Sequence, residues 1–143
     1  MKSNPIIIEQ KINASVEKVW QAITNKDELD QCFFEVDDFE PEIGYRFSFY
    51  SGGEEEKYLH LCKVKEIEEY KKLSYSWRYA DVDGDSVVTY ELVSEGDKML
   101  FRLRHEGIET FPRNNFLFSR DSFLQGWKEL IEISLKEYVE FRE

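Results

Sequence analysis

From residue 121 onward, apolar side chains recur at Phe123, Leu124, Trp127, Leu130, Ile131, Leu135, Tyr138 and Phe141. This is the i, i+3, i+4, i+7 spacing of one amphipathic helix over Asp121–Phe141, with Lys128, Glu129, Glu132, Lys136, Glu137 and Glu140 on its polar side. Ser119 or Asp121 offers the N-cap oxygen. A stripe so wide and so aromatic must lie against a large apolar surface. Upstream the period changes from helical to alternating. Tyr45, Phe47 and Phe49 alternate with Arg46, Ser48 and Tyr50, and Leu73, Tyr75, Trp77 and Tyr79 with Ser74, Ser76 and Arg78. Val88, Tyr90 and Leu92 share one strand face. Met99, Phe101, Leu103 and His105 share another, opposed by Leu100, Arg102 and Arg104.

Between these strands lie turn formers: Ser51 to Glu56, Glu68 to Lys72, Asp81 to Asp85 and Gly96-Asp97. The strand carrying Tyr58, Leu59, Leu61, Val64 and Ile67 changes apolar parity, which predicts a bulge near Cys62 and Lys63. His60, between Leu59 and Leu61, is expected to face solvent. At the start, Ile6 to Ile12 reads as a strand. Val16, Val19, Trp20 and Ile23 form a short helix capped by Ser15, and residues 26–32 form a second one delivering Leu29, Cys32, Phe33 and Phe34 inward. The predicted order is strand, two short helices, a run of antiparallel strands and a long helix. That is an α+β fold in a single domain over residues 1–143, a curved sheet against the C-terminal helix, with any cavity between the two. Gly126 inside that helix is expected to mark close approach to a strand or to Trp20.

Charge narrows the function classes. A formal net charge of −11, from 30 acidic against 19 basic residues, opposes binding to nucleic acid or to anionic lipid. No apolar run approaches a membrane span, and residues 1–5 lack the features of a secretory leader. Two cysteines, Cys32 and Cys62, do not make a disulfide framework, and a cytoplasmic address is expected.

Candidate chemistry is sparse. Asp81-Val82-Asp83-Gly84-Asp85 resembles the opening of a calcium loop, but Ser86 and Leu92 stand where that loop needs Gly and Glu. A hairpin turn explains it better, and no metal site or cofactor is expected. No phosphate loop or nucleophile–histidine pairing is suggested, so no catalytic residue is assigned. His105 ends an inward series and could sit at a pocket mouth. The most informative set is the inward-facing rings Phe47, Phe49, Tyr75, Trp77, Tyr79, Tyr90 and Phe101 on the strands, with Phe123 and Trp127 on the helix. With Phe33, His105 and Ile131 they form the candidate ligand-binding lining. The same set reads equally as a packed core. Fifteen per cent aromatic content suits both readings.

Ala14-Ser15-Val16-Glu17-Lys18-Val19-Trp20 resembles the opening-helix signature of the activator-of-Hsp90-ATPase homologue 1-like branch of the START-like (SRPBCC) superfamily. The segments Lys63–Ile67, Leu73–Trp77, Val88–Leu92 and Leu103–Gly107, then Gly126-Trp127 with Leu130 and Tyr138, continue the resemblance in order over residues 6–140. It implies a helix-grip fold and a deep cavity that in relatives receives lipids, polyketides or other apolar molecules. It implies no shared catalytic set. Cys32 departs from the pattern, since relatives usually carry a Trp near this position. The connection through Ile108, Phe111, Phe116 and Phe118 is expected to expose aromatics as a gate or docking patch. The main functional expectation is a domain holding a small, mainly apolar ligand, lipid- or polyketide-like. The alternatives are an interaction module of the Hsp90-activator type, with a chaperone contact, and an enzyme of the cyclase or dehydratase kind using His105 or a buried Tyr.

Overall fold

The computed structural model describes residues 5–33, 35–36, 38–51, 58–112 and 115–141. Six antiparallel strands form one sheet in the order β1-β6-β5-β4-β3-β2. Strands β2 (Arg46–Ser51), β3 (Tyr58–Glu68), β4 (Lys72–Tyr79), β5 (Ser86–Glu95) and β6 (Lys98–Glu106) follow one another as a meander. β1 (Ile6–Ile12) pairs with β6 at the edge opposite β2. The chain must therefore travel the full width of the sheet between β1 and β2. Helices α1 (Val16–Thr24) and α2 (Lys26–Cys32) occupy that crossing. Each is capped by a side chain: the Ser15 hydroxyl accepts from the Lys18 N–H at 3.2 Å, and the Asn25 side chain from the Glu28 N–H at 3.2 Å.

The inner face is set by cross-strand rows. His105, Val88, Tyr75 and Val64 are register partners in turn from β6 to β3, and Phe47, Cys62 and Trp77 form a second row across β2, β3 and β4. All are buried. Against this face lies a continuous helix, α3 (Arg120–Lys128), a π-helical segment (Glu129–Leu135) and α4 (Lys136–Phe141). The Ser119 hydroxyl caps it by accepting from the Ser122 N–H at 3.1 Å. Its buried residues are Phe123, Trp127, Ile131, Leu135 and Val139, every fourth position. In a pure α-helix a four-residue step rotates the stripe by about 40°, because 3.6 residues make a turn. The wider i→i+5 turns of the middle segment rotate it back, so one row faces the sheet along the whole length.

Several expectations are corrected. The bulge in β3 falls between Val64 and Glu66, leaving Lys65 unpaired, and not at Cys62–Lys63. The inward parity of β3 is His60, Cys62 and Val64, so His60 is buried instead of facing solvent. Its register partners explain this: Phe49 and Tyr79 flank it on the same face. Phe141 is exposed, and Val139 takes its expected place because the π segment shifts the phase. A Cβ at Gly126 would meet nothing within 4 Å, so no close approach accounts for that glycine. Phe34 and the turn over residues 52–57 lie outside the described residues.

Candidate functional site

The twelve predicted lining residues converge. Strands β2 and β4 bring Phe47 against Tyr75, ring centroids 5.0 Å apart, and Phe49 against Trp77 at 5.5 Å. The helix lays Trp127 over the sheet, 5.2 Å from Trp77 and 6.1 Å from Tyr90. Phe33, at the end of α2, touches Tyr90 at 5.7 Å and Trp127 at 6.4 Å. Phe101 stands 5.5 Å from Tyr90, and Phe123 5.2 Å from His105. Tyr79 contacts Phe118 at 4.8 Å, and Ile131 is fully buried in the same cluster. These are ordinary edge-on and tilted ring contacts. Among the described residues, these side chains contact one another between sheet and helix.

Polar atoms inside this cluster are bonded in a fixed order. The Trp127 indole N–H donates to His105 Nδ1 at 3.0 Å. An indole N–H only donates, so Nδ1 carries the lone pair and the proton sits on Nε2. That proton meets Ser86 Oγ at 2.9 Å, and the Ser86 hydroxyl donates to the Trp77 carbonyl at 2.6 Å. His105 is thus a neutral strut tying helix to sheet. Burial, reinforced by the nearby His60, lowers its pKa to about 3. Its ring does not take up a second proton near neutral pH, and both ring nitrogens are already engaged by Trp127 and Ser86, which weakens an acid–base role for it. His60 donates from Nδ1 to the Tyr58 carbonyl at 3.0 Å and stacks on Phe49 at 4.5 Å. Burial brings its pKa down to about 4.

The tyrosines differ. Tyr75 and Tyr90 are fully buried, and their hydroxyls share one hydrogen bond at 2.5 Å. The Tyr79 hydroxyl accepts from the Trp77 indole N–H at 2.9 Å. One bond between two hydroxyls uses one of two protons, and accepting uses none. Among the described residues, one proton of the Tyr75–Tyr90 pair and that of Tyr79 therefore have no acceptor. Burial raises the pKa of all three, so each stays a neutral donor.

A family model described as activator of Hsp90 ATPase homolog 1-like protein matches residues 13–140. The chain belongs to this family. No curated protein is significantly similar to it in sequence. Among solved structures it resembles MLL2253 of Mesorhizobium loti, 26% identical with a TM-score of 0.79 over 98% of this chain and 99% of that one. BH1534 of Bacillus halodurans is 28% identical, with a TM-score of 0.75 over 98% and 100%. CV1439 of Chromobacterium violaceum shares the fold at 19% identity, with a TM-score of 0.80 over 96% and 97%. The curved antiparallel sheet gripping a long C-terminal helix is the helix-grip architecture of the START-like superfamily.

Within this activator-like domain, sequence reasoning missed His60, Cys62, Ser86 and Phe39 as interior residues. The register of the folded sheet accounts for His60 and Cys62, since both lie opposite aromatics on the inner face. Phe39 packs on Phe47 at 5.0 Å from the connection before β2, where no periodicity marks it. The exposed gate is corrected too. Ile108, Phe111 and Phe118 are buried, and of that set only Phe116 is exposed, at 72%. The Asp81–Asp85 turn is clamped to this connection: the Asp85 N–H donates to Thr110 Oγ1 at 2.8 Å, and that hydroxyl faces the Asp85 carbonyl at 2.8 Å. Gly84, at φ +120°, lies where a Cβ would come within 2.4 Å of the Phe111 ring. Among the described residues no His, Cys, Asp and Glu group has the makings of a metal site, and no helix is long and apolar enough to cross a membrane. Cys32 is buried with its thiol 3.6 Å from the Ala22 carbonyl, and burial pushes its pKa up to about 12.

Proposed function

We propose that this domain holds a small, mainly apolar molecule of lipid or polyketide type between the sheet and the C-terminal helix, against Trp127, Trp77 and Tyr90. The observation that carries this reading is the pair of spare hydroxyl protons at Tyr75–Tyr90 and Tyr79. A buried donor without an acceptor costs about 1–3 kcal/mol. A carbonyl or similar acceptor on an otherwise apolar ligand would offset that cost, while displaced ring contacts are replaced by ring–ligand contacts. The ligand is then held by desolvation and oriented by tyrosine donors. Both cysteines are free thiols and buried, which supports a reducing, cytoplasmic setting as part of the same proposal.

Native mass spectrometry of freshly purified protein, compared with the denatured sample, tests the reading. A mass excess that disappears on denaturation is expected, and Tyr90→Phe should weaken retention of that molecule by about tenfold. No mass excess, together with no saturable change in tryptophan fluorescence on adding apolar carbonyl compounds, overturns it. The interaction-module alternative is not favoured here, because Phe111 and Phe118 are turned inward.

A further inference from the structure

The outer face of the sheet carries a feature that the interior does not explain. In a chain of net charge −11, Arg46, Lys63, Lys65 and Arg78 surround an open groove of about 430 Å³ on β2, β3 and β4. Arg46 is the direct register partner of Lys63. Such side chains stand roughly 5 Å apart at Cβ, and like charges placed so are destabilising. Arg78 lies one outward position further along, opposite Leu61. Lys65 is the unpaired residue of the β3 bulge, a device that re-aims a side chain.

Elsewhere on this face three cations are ion-paired, while the outward Lys11 and Lys98 at the far edge are not, among the described residues. Lys72 pairs with Glu66 at 3.1 Å, Arg102 with Glu9 at 2.7 Å and Glu91 at 3.6 Å, and Arg104 with Glu106. Among the described residues, none of the four groove cations makes an ion pair, and Asp85 is the single carboxylate lining the groove. The chain thus keeps a like-charged cross-strand pair with no internal compensation, although acidic residues outnumber basic ones. An anion is the compensation the geometry lacks. The four cations sit on three adjacent strands spaced about 5 Å apart, so their long side chains can converge on one compact group. Arginine forks suit the paired oxygens of a phosphate, and Leu61 at the groove floor offers an apolar rest beside it.

We propose that the outer groove of β2–β4 is a binding site for a small phosphorylated molecule, its phosphate held by Arg46, Lys63, Lys65 and Arg78 and its organic part resting on Leu61. This site is separate from the interior and does not depend on the reading given there.

The test is a titration of the full chain with inorganic pyrophosphate in low-salt buffer, followed by ¹⁵N-resolved NMR. Saturable shifts are expected at residues 46–48, 61–65 and 76–78. Arg46→Glu turns the like pair into an opposite pair, so its Tm should equal or exceed that of the parent while pyrophosphate binds about tenfold or more weakly. Arg78→Gln should lose affinity to a similar degree without loss of fold. Shifts that do not saturate, or unchanged binding by both variants, overturn the proposal. So does a hexaglutamate peptide that saturates the same residues at lower concentration than pyrophosphate, which would mark the face as a dock for an acidic protein segment.

Discussion

His60 and His105 are the residues whose surroundings most change their chemistry. Free histidine titrates at 6.5, whereas burial brings His60 to about 4 and His105 to about 3. Above pH 6.5 both are neutral in the folded and the unfolded chain and contribute no pH dependence. As the pH falls below 6.5 the unfolded chain takes up protons that the folded one refuses, so stability is lost down to the folded pKa values. The slope is about 1.4 kcal/mol per pH unit for each histidine. Urea midpoints measured at about pH 7, 6 and 5 should therefore drop steadily, with His60→Phe removing about half of the drop. Equal midpoints at pH 7 and 5 would show that the histidines are not held neutral. The inward position of His105 was legible because it ends the clean alternation Met99, Phe101, Leu103. That of His60 was not. Its strand carries leucines at the opposite parity, and the buried face is decided by Phe49, Trp77 and Tyr79 on neighbouring strands, not by its own hydropathy.

Among the elements, the helix caps and the meander strands could be read from sequence because each has a local cause: Ser15 and Ser119 supply oxygens to bare N–H groups, and strict alternation leaves only one face to bury. The π segment Glu129–Leu135 has no compositional mark. Its trace is the four-residue spacing of Phe123, Trp127, Ile131, Leu135 and Val139, which a pure α-helix would wind around its axis. What holds the segment is tertiary. The Ser134 hydroxyl donates to the Cys32 carbonyl at 2.7 Å, and the Tyr138 hydroxyl donates to Glu28 at 3.1 Å, so α2 is tied twice to the closing helix. Ser134→Ala removes the first tie and leaves the carbonyl at the end of α2 without that donor, at a cost of about 1 kcal/mol. Hydrogen exchange should quicken together over residues 26–33 and 129–135 in that variant, because both lose the same bond. Faster exchange confined to one of the two would mean that they do not open as a unit.

For the whole molecule the question is which electrostatic effect wins. The ion pairs described are largely exposed or half-exposed, and each is worth at most about 1 kcal/mol in water. Against them stands a net charge of −11 on a domain of 143 residues, whose self-repulsion opposes the compact state. The repulsion is long-ranged and the pairs are short-ranged. Raising the salt to about 0.5 M shortens the screening length well below the roughly 10 Å it has at 0.1 M, which removes distant repulsions before it weakens contacts at 3 Å. The Arg46–Lys63 opposition is screened in the same direction. Sodium chloride, from about 10 mM to 0.5 M, should therefore raise the Tm by roughly 2–5 °C. Chloride is the right choice, since sulfate and phosphate also strengthen apolar burial and phosphate would occupy the proposed groove. A Tm that falls over this range would mean that the local pairs outweigh the global repulsion. Arg46→Glu separates the contributions, because it removes one local repulsion while lowering the net charge by two further units, to −13 from the −11 of the parent. If long-range repulsion dominates, that variant shows the steeper rise with salt. If the cross-strand opposition dominates, it shows the shallower one.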